Sequence, residues 1–187
     1  MHIDAIDPKK TAMIVVDMQN DFVAPGAAME TPAARHIVSQ LAKALRICRE
    51  VGIKIIYTAY VHRSDGCDMG LFDDMHPPIA NRQALVDGTS GVEIYPELAP
   101  AVGEHVIKKH RYSGFFGTDL DIILREWGVD TVIISGPRPR IAARPRPGTR
   151  CFAATESSFY RTRQLPMIIQ TGDLARCQPP TSTTRRS

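Results

Sequence analysis

Asp17 closes an uninterrupted apolar run, in the segment TAMIVVDMQNDFV from Thr11 to Val23, and Gln19, Asn20 and Asp21 follow it at once. A strand that delivers a carboxylate at its C-terminal edge is where open α/β sheets place their chemistry. A second segment, HVIKKHRYSGFFGTDLDIILREWGVDTVIISG from His105 to Gly136, carries a cation, Lys109, in a loop between a strand and a helix. His62 and Arg63 follow another apolar run, and Tyr112 and Phe115 lie close behind Lys109. Asp119, Asp121 and Glu126 are expected on the solvated face of an amphipathic helix, so they are not read as paired acids. The sequence contains no glycine-rich phosphate loop and no zinc-ligand spacing.

These residues need a scaffold, and the hydrophobic pattern supplies one. Residues 11–17 read as a strand covered on both faces. Residues 32–51 place Ile37, Leu41, Leu45 and Ile47 near helical spacing, and Gly52 is a stop. Residues 53–59 form a second predicted strand, 106–109 a third and 131–135 a fourth, while 118–127 form a helix with Thr118 as N-cap. Residues 60–104 are rich in Gly, Pro and Asp with little periodicity, which predicts loops and short helices capping a site. Strands alternating with helices predict an α/β fold: a three-layer, mainly parallel sheet with helices on both faces. Gln19 is expected to tie the first strand to neighbouring backbone, and Phe22, Tyr112 and Phe115 to wall a pocket or to pack in the core. Lys108 is expected to face solvent or the opposite sheet face.

The order collapses after Gly136. A helix should follow the fourth strand, yet PRPRIAARPRPGTRC brings Pro137, Pro139, Pro145 and Pro147, and each interior proline costs a helix roughly 3 kcal/mol. Charge changes at the same place. Residues 1–135 carry 13 Lys and Arg against 18 Asp and Glu, whereas 136–187 carry 10 Arg against two acids. The chain therefore divides into residues 1–136, an incomplete α/β domain, and 137–187, an Arg/Pro-rich aberrant tail expected to be poorly ordered. Met167 to Ile169 is its one late apolar run.

The two motifs together resemble the isochorismatase-like cysteine hydrolase superfamily, which includes isochorismatases, nicotinamidases and N-carbamoylsarcosine amidases. Lys109, Arg111, Tyr112, Ser113, Gly114 and Phe115 reproduce its K-x-R-Y-S-G-F pattern. The resemblance implies that Asp17 takes a proton from a nucleophile and returns it to the leaving group, and that Lys109 holds Asp17 ionised and lowers a neighbouring thiol pKa. It also implies a nucleophilic Cys six residues after Gly136, where this chain has Ala142. Cys151 lies nine residues too late to replace it and reads as an incidental thiol. Nicotinamidases in the superfamily bind a metal through Asp-x-His; the matching residues here are Tyr60, Val61 and His62, so no metal and no other cofactor is expected. His62 and Arg63 are instead candidates to meet a polar or anionic substrate, with Tyr112 and Phe115 beside them.

A single-base shift near the codons for Gly136 and Pro137 unites the prolines, the arginines and the missing Cys. Joining the last base of each codon to the first two of the next allows Cys at the Ile141/Ala142 and Ala142/Ala143 junctions, and Asn just before. Later junctions permit a Cys-bearing helix and a fifth strand of the kind the superfamily has.

The expected activity of the parent is cysteine-dependent hydrolysis of a small amide, ureide or N-carbamoyl compound, impaired in this chain. One alternative is Cys-independent cleavage of a vinyl ether; another is a non-catalytic binding protein with a basic tail. A small-molecule substrate, a homo-oligomeric parent and a cytoplasmic location are expected. The four cysteines show no CxxC spacing, no long apolar run suits a membrane, and nucleic acid is not an expected partner because the charge change falls inside a structural unit.

Overall fold

The computed structural model describes residues 6–137 and the backbone of 150–154. Its centre is a five-stranded sheet, all parallel, in the order β3-β2-β1-β4-β5. Strand β1 (Thr11–Val16) is buried along its whole length, as a strand covered on both faces must be. Short helix α1 (Asn20–Val23) follows the turn at Asp17. Residues 32–51, one helix by periodicity, divide into α2 (Pro32–His36) and α3 (Val38–Val51) at Ile37. Arg35 holds the short first piece to the preceding turn, donating to the Val23 carbonyl and pairing with Glu30. Gly52 ends α3 in the left-handed conformation at φ +80°, as expected of a C-terminal glycine.

Strand β2 (Lys54–Tyr60) begins and ends one residue later than its apolar run suggests. The loop-rich stretch after it contains α4 (Phe72–Met75), α5 (Pro77–Ala80) and two turns of 3-10 helix, Ser90–Val92 and Pro96–Leu98. Strand β3 (His105–Lys109) is the sheet edge and is exposed until Lys109, where it becomes buried. Helix α6 (Leu120–Glu126) starts two residues later than expected, with Asp119 in the N-cap position. Thr118 still serves the helix start, because its hydroxyl oxygen accepts the Leu120 N–H. Strand β4 (Thr131–Ser135) is buried throughout.

Alternation along the strands sends two cores to opposite sheet faces. Met13, Val15, Ile55, Tyr57 and Ile133 pack with Leu41, Leu45 and Cys48 of α3. Ala12, Ile14, Val16, Ile56, Val132 and Ile134 pack with Leu120 and Leu124 of α6. The three-layer architecture follows directly.

Nothing in residues 137–166 predicts a strand, yet β5 (Arg150–Ala154) runs parallel to β4 with Thr131 opposite Arg150 and Ser135 opposite Ala154. Backbone pairing to the outer edge of β4 makes no demand on side-chain type, and for that reason the hydrophobic pattern is silent there. Ala142, Pro139, Pro145, Pro147 and Met167–Ile169 lie outside the described residues. Among the described residues no helix is long and apolar enough to cross a membrane.

Candidate active site

The C-terminal ends of β1, β2 and β3 meet at one point. β1 pairs with β2 so that Val16 faces Thr58, and β2 pairs with β3 so that Tyr60 faces Lys109. Residues opposite each other in a parallel pair lie on one face. Alternation alone would send Asp17, one residue beyond β1, to the face opposite Val16 and Thr58; the turn at Asp17 brings its carboxylate back to Thr58 and Lys109.

Asp17 turns sharply, at φ +51°, in the left-handed region that Asp tolerates better than most residues. Its N–H donates to the Thr58 carbonyl oxygen at 3.1 Å, which fixes the turn. Each carboxylate oxygen then has its own donor: the Thr58 hydroxyl reaches Oδ1 at 2.8 Å and Lys109 Nζ reaches Oδ2 at 2.8 Å. Lys109 is 1% exposed and the Asp17 side chain 16%. Burial pushes the Asp17 pKa above the ordinary carboxylate value, with Lys109 and the Thr58 hydrogen bond pulling it back. Asp17 thus holds a proton more readily than an ordinary carboxylate, which suits a group that must accept one and then return it.

Lys109 is constrained on three sides. Besides Asp17 it donates to the Arg111 carbonyl oxygen at 3.3 Å, and its Nζ stands 4.4 Å from the centre of the Tyr60 ring. Lys108, next in the strand, points the other way and pairs with Asp87 at the surface, as expected. Gln19 fills the role expected of it: its amide nitrogen donates to the Tyr60 and Val92 carbonyls, and its Oε1 accepts the Tyr60 N–H. Asp21 braces the capping loop by accepting the Leu85 N–H at 2.7 Å.

Gly136 links this corner to β4. A Cβ there would lie 2.3 Å from the Val16 carbonyl oxygen, at a φ of +146° that L residues rarely adopt. The chain leaving β4 therefore passes directly against the end of the strand that carries Asp17. The nucleophile slot at Ala142 lies six residues further, outside the described residues.

The remaining candidates separate. Tyr112 is at the rim, 38% exposed, with its ring 5.0 Å from that of Phe72 and 6.1 Å from that of Tyr60. Its hydroxyl lies 3.3 Å from His76 Nε2. His62 is fully buried beside Tyr60, ring centres 5.0 Å apart. Arg63 is exposed and its backbone N–H is held by Asp68. Phe115 is half-buried and packs against the core beneath α6. Sequence alone had not marked Thr58, Phe72, Asp68 or His110. Thr58 and Tyr60, two apart at the end of a strand and so on one face, were the signal available for the first.

His62, Asp68 and His110 form a second polar group. His110 Nδ1 is 2.7 Å and His62 Nδ1 3.5 Å from Asp68 Oδ2. Burial lowers the His62 pKa, with Asp68 opposing, so the imidazole is neutral at neutral pH. Among the described residues no group of three or more His, Cys, Asp or Glu side chains is arranged to hold a metal. In place of the Asp of an Asp-x-His pair stands Tyr60, whose ring lies against a lysine. These residues do not fit the nicotinamidase metal set.

Comparison with known proteins gives one consistent answer. The family model described as Isochorismatase domain matches residues 11–137. A ureidoacrylate amidohydrolase, RutB, of Methylobacterium radiotolerans is 32% identical over 153 residues, covering 71% of this chain. A cysteine hydrolase of Pseudomonas syringae pv. phaseolicola 1448A superposes with a TM-score of 0.74 at 33% identity, covering 81% of this chain and 73% of that one. An N-carbamoylsarcosine amidase of Thermoplasma acidophilum gives a TM-score of 0.60 at 28% identity, covering 78% of this chain and 81% of that one. The chain spans 58% and 60% of the length of two curated ureidoacrylate amidohydrolases that it matches.

Proposed function

The chain belongs to the isochorismatase family of hydrolases, and on that premise we propose that its parent hydrolyses a small amide, ureide or N-carbamoyl compound through a cysteine that this chain has lost. The observation that carries the proposal is the ion pair of Asp17 and Lys109, 2.8 Å apart at the C-terminal edge of the sheet and beside Gly136. In the parent, a Cys in the slot of Ala142 gives its proton to Asp17 and attacks the carbonyl carbon as thiolate. Backbone amides next to the thiol hold the oxyanion. Asp17 returns the proton to the departing nitrogen, which leaves as amine or ammonia, and water then cleaves the thioester to the acid. Lys109 favours the thiolate and the ionised Asp17 by its charge. The amidohydrolase and amidase names of the relatives support this substrate class.

With Ala142 in the slot, this chain should not perform that reaction. We attribute residues 137–187 to a shifted reading frame; in support, the family match stops at residue 137, where the prolines begin. A cytoplasmic enzyme acting on a small molecule, and oligomeric in its intact form, completes the reading. The test is to restore the frame by one base and assay ammonia release from N-carbamoyl and amide substrates. Thiol-dependent release is expected from the restored protein and none from the present chain.

One observation favours a second reading. The raised pKa of Asp17 also suits a proton donor, as Cys-independent cleavage of a vinyl ether requires. Turnover of isochorismate by the present chain, lost in Asp17→Asn, would establish that reading in place of the first.

A further inference from the structure

The Tyr60 hydroxyl is buried and has no hydrogen-bond partner among the described residues. Its ring neighbours that of His62 and stands next to the Asp17–Lys109 pair. Tyr60 is 4% exposed, and a phenol hydroxyl is rarely buried this deeply without an acceptor. Its backbone is held rigidly, since Gln19 engages both its N–H and its carbonyl. Its ring is fixed by Lys109 on one side and by the rings of Phe72, Tyr112 and His62 around it. The hydroxyl is thus a preorganised donor aimed at nothing the described protein supplies.

A donor in want of an acceptor, between aromatic walls and next to a fixed cation, defines the group that completes it: an oxygen of a flat, acceptor-rich ligand. We propose that Tyr60 is a specificity-determining residue, its hydroxyl donating to a carboxylate or carbonyl oxygen of the substrate on the side away from the scissile C–N bond. The proposal rests on the C–N hydrolase reading above and narrows its substrates to compounds with a second oxygen function, of which ureido acids are the simplest class. Tyr60 also sets the Lys109 ammonium in place through its ring, a role that survives loss of the hydroxyl.

Tyr60→Phe separates the two roles. It keeps the ring and removes an unsatisfied buried hydroxyl, so the free protein should melt about 2–6 °C higher. A paired, structural hydroxyl would give a fall instead. Calorimetric titration of the present chain with N-carbamoylglycine reads the second effect without turnover, because Ala142 occupies the nucleophile slot. N-carbamoylglycine should bind roughly tenfold more weakly to Tyr60→Phe, whereas ethylurea, which lacks the second oxygen, should bind both proteins equally. A lower melting temperature in Tyr60→Phe, or equal binding of N-carbamoylglycine to both proteins, overturns the role of Tyr60 and leaves the hydrolase reading standing. Failure of the unsubstituted chain to bind either compound overturns the C–N hydrolase reading and the Tyr60 proposal with it.

Discussion

At Asp17 two forces oppose each other, and their balance makes a testable statement. Burial disfavours the ionised carboxylate, while Lys109 and the Thr58 hydroxyl favour it. Breaking such a pair costs more than deleting it, because the surviving charge is left without compensation. Lys109→Met is expected to lose about 3 kcal/mol of stability, and Asp17→Asn a similar amount, while the double variant should lie within about 1 kcal/mol of the parent chain. Urea midpoints of the four proteins check this; simple additivity would deny the coupling. His62 makes a second statement. Its pKa is lowered by burial, with Asp68 opposing and His110 and Arg111 assisting, so the unfolded chain takes up the proton more readily than the folded one. Stability tied to His62 is present above the ordinary histidine value, about 6.5, and is lost as pH falls below it. His62→Gln should flatten the fall in melting temperature between about pH 6.5 and 5; an unchanged slope would assign the acid sensitivity to other groups. The meeting of Asp17 and Lys109 has a sequence signal in each residue, a carboxylate that ends a wholly apolar strand and a lysine in K-x-R-Y-S-G-F, although a buried strand also ends in Asp simply because a polar turn follows. Phe115 packs against the core beneath α6, the alternative open to any aromatic near a sheet edge, and only tertiary contacts decide between core and pocket wall.

Among the elements, the strands carry the argument. The apolar runs located β1, β2 and β4 to within a residue or so, since strands covered on both faces advertise themselves; β3, the largely exposed edge strand, was also found to within a residue. Helix limits were less legible. The break at Ile37 arises from Arg35 reaching Val23 and Glu30, a tertiary contact with no mark in local periodicity. The start of α6 moved because Thr118 caps from outside the helix. Strand β5 was invisible for a different reason: RCFAA carries no alternation, and the free edge of β4 supplies its pairing. Gly136 is the hinge of this region. Gly136→Ala would drive a methyl to 2.3 Å from the Val16 carbonyl oxygen in a strained backbone conformation. A loss of about 1–3 kcal/mol is expected, visible as a lower melting temperature; a neutral effect would mean that β1 and β4 do not approach as closely as described.

For the whole molecule, the family match and the composition change at the same boundary. Up to residue 137 the chain matches its family, buries two cores against one sheet and assembles an acid and a lysine at the sheet's C-terminal edge. Beyond it, arginine accumulates and proline recurs. Substrate identity was not legible because the side chains around the Asp17–Lys109 pair, Tyr60 and Tyr112 among them, come together from β2 and from the loop after β3, and sequence spacing does not encode that meeting. The claim on which the account turns is that an intact half-site awaits a thiol. The most direct measurement is ammonia release from N-carbamoyl and amide substrates by the protein with its frame restored by one base, beside its Asp17→Asn variant and the present chain. The account predicts turnover in the restored protein alone, blocked by a thiol-alkylating reagent. Equal turnover in all three, or none in the restored protein, would contradict it.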